Sequence, residues 1–374
     1  MALKIFFYIH SLTGGGAERV TASLVRHLAD QGHEVGVITM TSEERDFYPL
    51  DPRVRRITLD LAGVNRGLGK LTANYRRWRA LRRALKAEQP DVVVAMMTTS
   101  IVLAILAAMG LPTRVYGSER NYPGRKATGR PWALLRRLVY RFADGHVAQT
   151  REAAAWLERH TGARNVHVIP NPVVWPIPSF PPEVAPESVV SPERRVILAV
   201  GSKPEQKGFD LLVRAFAGLA AHWPEWDLVI LGVDPASEAV SGGGASVQRL
   251  AEGLGVAQRL YLPGRVGNVA DWYQRADLFV LSSRYEGFPN VLLEAMASGG
   301  CPSIAFDCDT GPRDLIEDGV NGVLVPAEDG EALEEGIGRL MADEVWRKGL
   351  AEQAVAVRER FSEEGLMVLW ERIL

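Results

Sequence analysis

The sequence predicts an α/β chain built from two doubly wound, Rossmann-like domains that face a central cleft. Three observations carry that prediction. Strand-like apolar runs alternate with helical patterns in both halves of the 374 residues. The strand runs are nearly continuous in apolar residues, as parallel strands are when both sheet faces are covered. A Pro- and Ser-rich stretch from Asn171 to Pro192, without usable periodicity, separates the halves and reads as a linker. The predicted layout is an N-terminal domain over 1–172, a linker over 173–192, a second domain over 193–358, and a C-terminal helix over 359–374. Met367, Val368, Leu369, Trp370, Ile373 and Leu374 would give that helix an apolar face to return to the first domain.

Taken in order, the first half offers strands at Lys4–His10, Glu34–Met40, Val92–Met97, Arg114–Gly117, His146–Gln149 and Val166–Ile169. Helical patterns fall between them near Ala17–Gln31, Thr72–Glu88, Ile101–Met109, Pro131–Phe142 and Arg151–His160. The second half repeats the plan, with strands near Val196–Val200, Leu228–Leu231, Leu260–Leu262, Leu278–Leu281 and Ser303–Phe306. Val92 to Thr113 is uncharged for 22 residues, enough to span a bilayer. Thr98-Thr99-Ser100 interrupt it, and strand, turn and helix is the reading that fits.

Loops that follow strands in such sheets hold ligands. After Leu278–Leu281 comes Glu286-Gly287-Phe288-Pro289-Asn290-Val291-Leu292-Leu293-Glu294, with two carboxylates eight positions apart. Pro289 suits the first turn of a helix, and Gly299-Gly300 its end. Glu286 then lies on the loop and Glu294 about two turns along one helical face. Carboxylates beside a helix N-terminus suit a molecule rich in hydroxyls that also carries phosphate. Gly14-Gly15-Gly16 follows the first strand and opens a helix, where glycine lets a phosphate or sugar approach the backbone. Its spacing is not the GxGxxG of dinucleotide sites. Gly201-Ser202-Lys203-Pro204-Glu205-Gln206-Lys207-Gly208 occupies the corresponding loop of the second domain. Asp307-Cys308-Asp309 is a DxD, a pattern able to hold a divalent metal.

The run Arg284 to Gly299, together with Gly311-Pro312-Arg313-Asp314-Leu315-Ile316 and Asp318 to Pro326, closely resembles the donor-site motifs of retaining glycosyltransferases of family 4, which have the GT-B fold. The likeness extends over most of the chain and is strongest in the second half. It implies that Glu294 holds the ribose of a nucleotide-sugar, that Glu286 binds donor-sugar hydroxyls, and that Gly287, Phe288 and Asn290 line the donor. It implies a diphosphate clamp in which Lys207 matches one family cation. Ser202 stands where the family has Arg, and Lys203 is the neighbouring candidate to replace it. Gly15 and Gly16 would face the donor. Catalytic roles fall to Glu286 and Lys207. The family's first-domain histidine has no counterpart in Gly117-Ser118-Glu119-Arg120-Asn121, which leaves Glu119 as catalytic candidate and Arg120 on the acceptor side. The family manages leaving-group charge with cations and a helix N-terminus, so no metal or other cofactor is expected.

Composition excludes little, with 47% apolar and 24% charged residues and a net charge of −2. The distribution says more. Residues 1–172 hold 26 Lys and Arg against 14 Asp and Glu, leaving 17 against 31 in the remainder. An anionic partner is therefore expected on the first domain alone. Arg76, Arg77, Trp78, Arg79, Arg82, Arg83 and Lys86 form one basic cluster; Arg125, Lys126, Arg130, Arg136, Arg137 and Arg141 form another, with Trp132, Leu134 and Leu135 among them. Interleaved apolar and basic residues suit an anionic membrane surface, at about 1 kcal/mol per cation, and Arg77, Trp78 and Arg136 represent that acceptor or membrane side. A solvated face is the plainer reading. No recognition module accompanies the clusters, so nucleic acid is not expected.

Cys301 and Cys308 form no CxxC pair, and a reducing cytoplasm is the expected home. The N-terminal apolar run is too short for a signal-peptide core. These readings together predict a retaining transferase that moves a hexose or N-acetylhexosamine from a UDP-sugar to a lipid-linked or polysaccharide acceptor. A stretch resembling enzymes of polyprenyl-diphosphate oligosaccharides, Asp-Cys-x-Thr-Gly-Pro-Arg, points to envelope glycan. Two other classes stay open: a nucleotide-dependent epimerase or dehydrogenase, and a non-catalytic two-domain sugar-binding protein.

Overall fold

A computed structural model describes residues 2–13, 15–63, 69–125, 128–234 and 247–374. Gly14 of the glycine loop and Lys126 of the second basic cluster lie outside the described residues. The chain divides into two compact units, Met1–Asn171 with Leu366–Leu374, and Pro172–Gly365. Each is a parallel α/β sheet with helices on both faces, the Rossmann-like domain type expected from the sequence.

The first unit holds seven strands: β1 Lys4–Ile9, β2 Glu34–Thr39, β3 Arg55–Thr58, β4 Val92–Met96, β5 Arg114–Ser118, β6 Gly145–Ala148 and β7 Val166–Val168. Their order is β3-β2-β1-β4-β5-β6-β7. Strand alternation sends Ile5, Phe7 and Ile9 to one core and Phe6 and Tyr8 to the other. Helices α1 Gly16–Asp30, α2 Gly69–Glu88, α3 Thr98–Ala108, α4 Arg130–Val139 and α5 Arg151–Thr161 connect them. Met367, Trp370 and Leu374 of the C-terminal segment bury against the core that holds Ile5, Phe7 and Val92. Val92 to Thr113 resolves into β4, a turn and α3, and no described helix is long and apolar enough to cross a membrane.

The second unit holds six strands: β8 Arg195–Val200, β9 Trp226–Leu231, β10 Leu260–Gly264, β11 Leu278–Leu281, β12 Ser303–Asp307 and β13 Val323–Pro326. Their order is β10-β9-β8-β11-β12-β13. The expected linker is built into this unit. Val173 donates to the Phe361 carbonyl at 2.8 Å, Gly267 to the Pro182 carbonyl at 2.7 Å, and the Trp272 indole to the Val184 carbonyl at 3.0 Å. Proline removes donors, but the carbonyls remain and must find partners when buried. Two strands escaped the sequence reading. β3 and β13 sit at sheet edges, and their half-exposed, partly charged or proline-ended runs lack the apolar pattern of central strands.

Candidate active site

In the second unit the strand order reverses between β8 and β11, which pair directly. Loops leaving adjacent strands in opposite senses open a crevice at their C-terminal ends. The turn after β8 carries Lys207 and the loop after β11 carries Glu286. Their side chains meet there, Nζ to Oε1 at 2.8 Å. Ser283 donates to the same Oε1 at 2.7 Å, and Thr310 Oγ1 donates to the Glu286 carbonyl at 2.7 Å. Glu286 is 7% exposed, so the carboxylate is held in place by a cation and a hydroxyl rather than solvated.

Glycine sets this geometry at two points. Gly208 has φ +61°, and a Cβ there would lie 2.0 Å from the Ser282 carbonyl oxygen. Gly311 has φ +100°, and its Cβ would lie 2.6 Å from Pro289 Cδ. Both conformations disfavour any residue with a side chain. They let the 201–208 turn and the Thr310–Gly311 loop close on the 282–289 loop.

The helix Asn290–Ser298 follows, ended by Gly299 in the left-handed region at φ +82°. Pro289 caps its start rather than entering the first turn. Glu294 is buried on this helix, and the Tyr273 hydroxyl donates to its Oε2 at 3.2 Å. Phe288 is buried edge-to-face on Phe361, with ring centroids 5.5 Å apart. Gly287 is buried and Asn290 half-buried, while Lys203 is exposed at the N-terminal edge of the Lys207 turn. Asp307 of the DxD accepts from Arg313 Nε at 2.7 Å. Among the described residues no group of three or more His, Cys, Asp or Glu is placed to hold a metal ion. Both cysteines are buried and free.

The first unit has its own reversal, between β1 and β4. A cavity of 680 Å³ opens there, lined by Tyr8, His10, Ser11, Glu18, Asn74, Arg77, Thr99 and Trp132 among others. Burial, then the nearby Arg77 guanidinium, holds the His10 pKa below its ordinary value. Arg77 donates to the Leu61 and Gly63 carbonyls and to Asn74 Oδ1 at 3.0 to 3.1 Å. Gly15 caps α1 and Gly16 is its first residue.

Three expected site residues are buried. Glu119 is 3% exposed, with its Oε1 accepting from Thr98 at 2.8 Å and from the Tyr140 hydroxyl at 2.5 Å. Burial pushes its pKa up. Arg120 is buried, donating to Asn171 Oδ1 at 3.0 Å and lying over the Trp370 ring. Burial lowers its pKa to about 9. Arg136, expected on a membrane face, is buried over Trp156 at 4.6 Å. An arginine stem and plane pack well on an aromatic ring, and helical position carries this one inward. Trp78 packs half-buried against the first unit's core.

The exposed side of α4 and of the 3-10 turn Tyr140–Phe142 that follows it carries what Arg136 does not. Leu134 is 58%, Leu138 48% and Phe142 59% exposed, spaced four residues apart, with Arg130, Arg137 and Arg141 exposed around them. Ser283, Thr310 and Tyr273, which hold the two glutamates, were not singled out from sequence. Nothing in their spacing signals contact.

The profile of Glycosyltransferase Family 4 matches residues 14–174, and that of Glycosyl transferases group 1 matches 194–343. The chain is 28% identical, over all of its length and 98% of the relative's, to a GalNAc-alpha-(1->4)-GalNAc-alpha-(1->3)-diNAcBac-PP-undecaprenol alpha-1,4-N-acetyl-D-galactosaminyltransferase of Campylobacter jejuni. In fold it is similar to a sucrose-phosphate synthase of Thermosynechococcus elongatus, with a TM-score of 0.83 at 19% identity over 99% of this chain and 97% of that one. It is also similar to Anabaena Alr3699/HepE in complex with UDP, with a TM-score of 0.77 at 18% identity over 99% of both.

Proposed function

The chain belongs to glycosyltransferase family 4, and from that premise we propose that it moves a hexose or N-acetylhexosamine from a UDP-sugar to a lipid-linked or polysaccharide acceptor, with retention at the anomeric carbon, in envelope glycan synthesis. The observation that carries this reading is the Lys207–Glu286 contact at the β8/β11 reversal, with Glu294 on the helix that follows. A cation suits the diphosphate of a nucleotide-sugar, and two carboxylates can accept hydrogen bonds from its hydroxyls. Glu294 would hold ribose hydroxyls, Glu286 the hydroxyls of the donor sugar, and Lys207 the diphosphate. The chemistry asked of the protein is then positioning and stabilisation of the departing UDP's charge. Lys207 neutralises that charge as the bond from sugar to phosphate breaks. The cavity of the first unit would hold the acceptor, with Trp132 offering a ring face and Ser11, Asn74 and Glu18 offering hydrogen-bond partners.

The acceptor of the Campylobacter relative is, by its name, linked to diphosphate and undecaprenol. The exposed apolar stripe of α4, set among arginines, supports docking on an anionic membrane surface. We place the protein on the cytoplasmic face of the cell membrane, held peripherally. The test is calorimetric binding of UDP, UDP-sugars, GDP and NAD to the wild type and Glu294→Ala, with and without EDTA. UDP binding that survives EDTA and drops sharply in the variant is the expected result. Binding of NAD instead, or of no nucleotide, overturns the donor assignment.

A further inference from the structure

We propose that Arg284 is a positioning residue of the donor site, which fixes Lys207 by tying the turn that carries it to the loop that carries Glu286. The proposal rests on the donor reading above and concerns a residue that touches no part of the donor in it. Three consecutive carbonyls of the Lys207 turn are taken by the loop after β11. Arg284 Nη1 donates to the Glu205 carbonyl at 2.7 Å, the Arg284 backbone N–H to the Gln206 carbonyl at 2.9 Å, and Ser282 Oγ to the Lys207 carbonyl at 2.8 Å. Two of the three come from one residue.

The guanidinium is itself fixed from further along the chain. It forks onto Asp210, Nη1 to Oδ1 at 2.8 Å and Nη2 to Oδ2 at 2.7 Å, while Nε lies 3.3 Å from Glu328 Oε2. Asp210 stands in the first turn of the helix Phe209–Ala220, directly after Gly208. The turn is thus held at both ends through one side chain. A fork of this kind constrains direction as well as distance. The constraint matters more here because Ser202 stands where the family carries an arginine, so Lys207 has one fewer fixed neighbour to share a diphosphate. A displacement of about 1 Å in such a group is enough to cost binding and rate.

The experiment compares wild type, Arg284→Lys, Asp210→Asn and the double variant by calorimetry with UDP, inorganic pyrophosphate and uridine, alongside thermal melting to confirm folding. Arg284→Lys keeps the charge and loses the fork. Each single variant is expected to weaken UDP and pyrophosphate about tenfold, the double variant little further, because both remove one linkage. Uridine, which has no phosphate, is expected to bind all four proteins alike. Unchanged UDP and pyrophosphate affinity in folded variants overturns the inference and leaves the donor site standing. So does a loss shared equally by uridine, which would mark a general structural effect. A wild type that binds neither UDP nor pyrophosphate overturns this inference and the donor reading together.

Discussion

The Lys207 ammonium and the Glu286 carboxylate stand 2.8 Å apart, and Ser283 donates to the same carboxylate oxygen. Glu286 is closed from solvent and Lys207 nearly so. Truncating one partner therefore leaves the other charge desolvated and poorly paired. Lys207→Ala is expected to lose UDP binding by about a hundredfold and to cost about 2 kcal/mol of stability, the range for stranding a buried polar group. Pairing it with Glu286→Gln removes the stranded charge. The double variant is expected to melt close to wild type while still failing to bind UDP. Calorimetry and thermal melts on the three proteins check this, and a double variant that regains UDP binding would show that Lys207 does not meet the diphosphate.

Gly208 makes the same point through the backbone. Its φ of +61° and the Ser282 oxygen 2.0 Å from a would-be Cβ leave no room for alanine. Gly208→Ala is expected to destabilise the protein by more than about 1 kcal/mol and to weaken UDP, because the turn must shift away from β11. Thermal melting with UDP titration reads both. An alanine variant with wild-type affinity would mean that the turn can move without moving Lys207.

Much of this was legible in the sequence because it rests on local pattern. Central strands such as Phe6–Ile9 and Val92–Met96 announce themselves by unbroken apolar runs, and the loop from Glu286 to Glu294 by its place between a strand and a helix. Contacts across the sheet were not legible. Arg284 with Asp210 and Tyr273 with Glu294 are 74 and 21 residues apart, and no periodicity relates them. Burial misled at single positions: Glu119 and Arg136 are charged residues in a basic, polar stretch, yet one end of β5 and one face of α4 turn them inward. The roles proposed for Glu286, Glu294 and Lys207 come from the family resemblance; chemistry alone would have left them as three charged side chains.

His146 gives the fold a dependence on pH. It is fully buried and stacked on Tyr140, with Nε2 3.0 Å from the Tyr140 carbonyl, so Nε2–H donates and the ring is neutral. Burial lowers its pKa from 6.5 to about 4. Below pH 6.5 the unfolded chain takes up a proton that the folded chain refuses, so stability is complete above that pH and is lost on acidification toward pH 4. The full loss is on the order of 3 kcal/mol. His146→Gln can still donate to the carbonyl but does not titrate. Melting temperatures measured from pH 7 to pH 4.5 are expected to fall more steeply for wild type than for this variant, and parallel curves would assign the acid sensitivity to other groups.

The two faces of α4 differ in what they carry. Leu134, Leu138 and Phe142 form an exposed stripe with Arg130, Arg137 and Arg141 beside it, whereas Arg136 lies inside, over Trp156. Apolar insertion and attraction to anionic lipid add on such a surface, and the second part is screened by salt. Wild type is expected to sediment with vesicles containing phosphatidylglycerol and to release as NaCl rises. Leu138→Glu places a charge in the stripe and is expected to abolish sedimentation while leaving the melting temperature nearly unchanged, since the residue is exposed. Arg136→Ala is expected to do the reverse, lowering the melting temperature while the folded fraction still binds vesicles. Were Arg136→Ala to lose the vesicles and Leu138→Glu to keep them, the membrane-facing side of this helix would be the one now read as core.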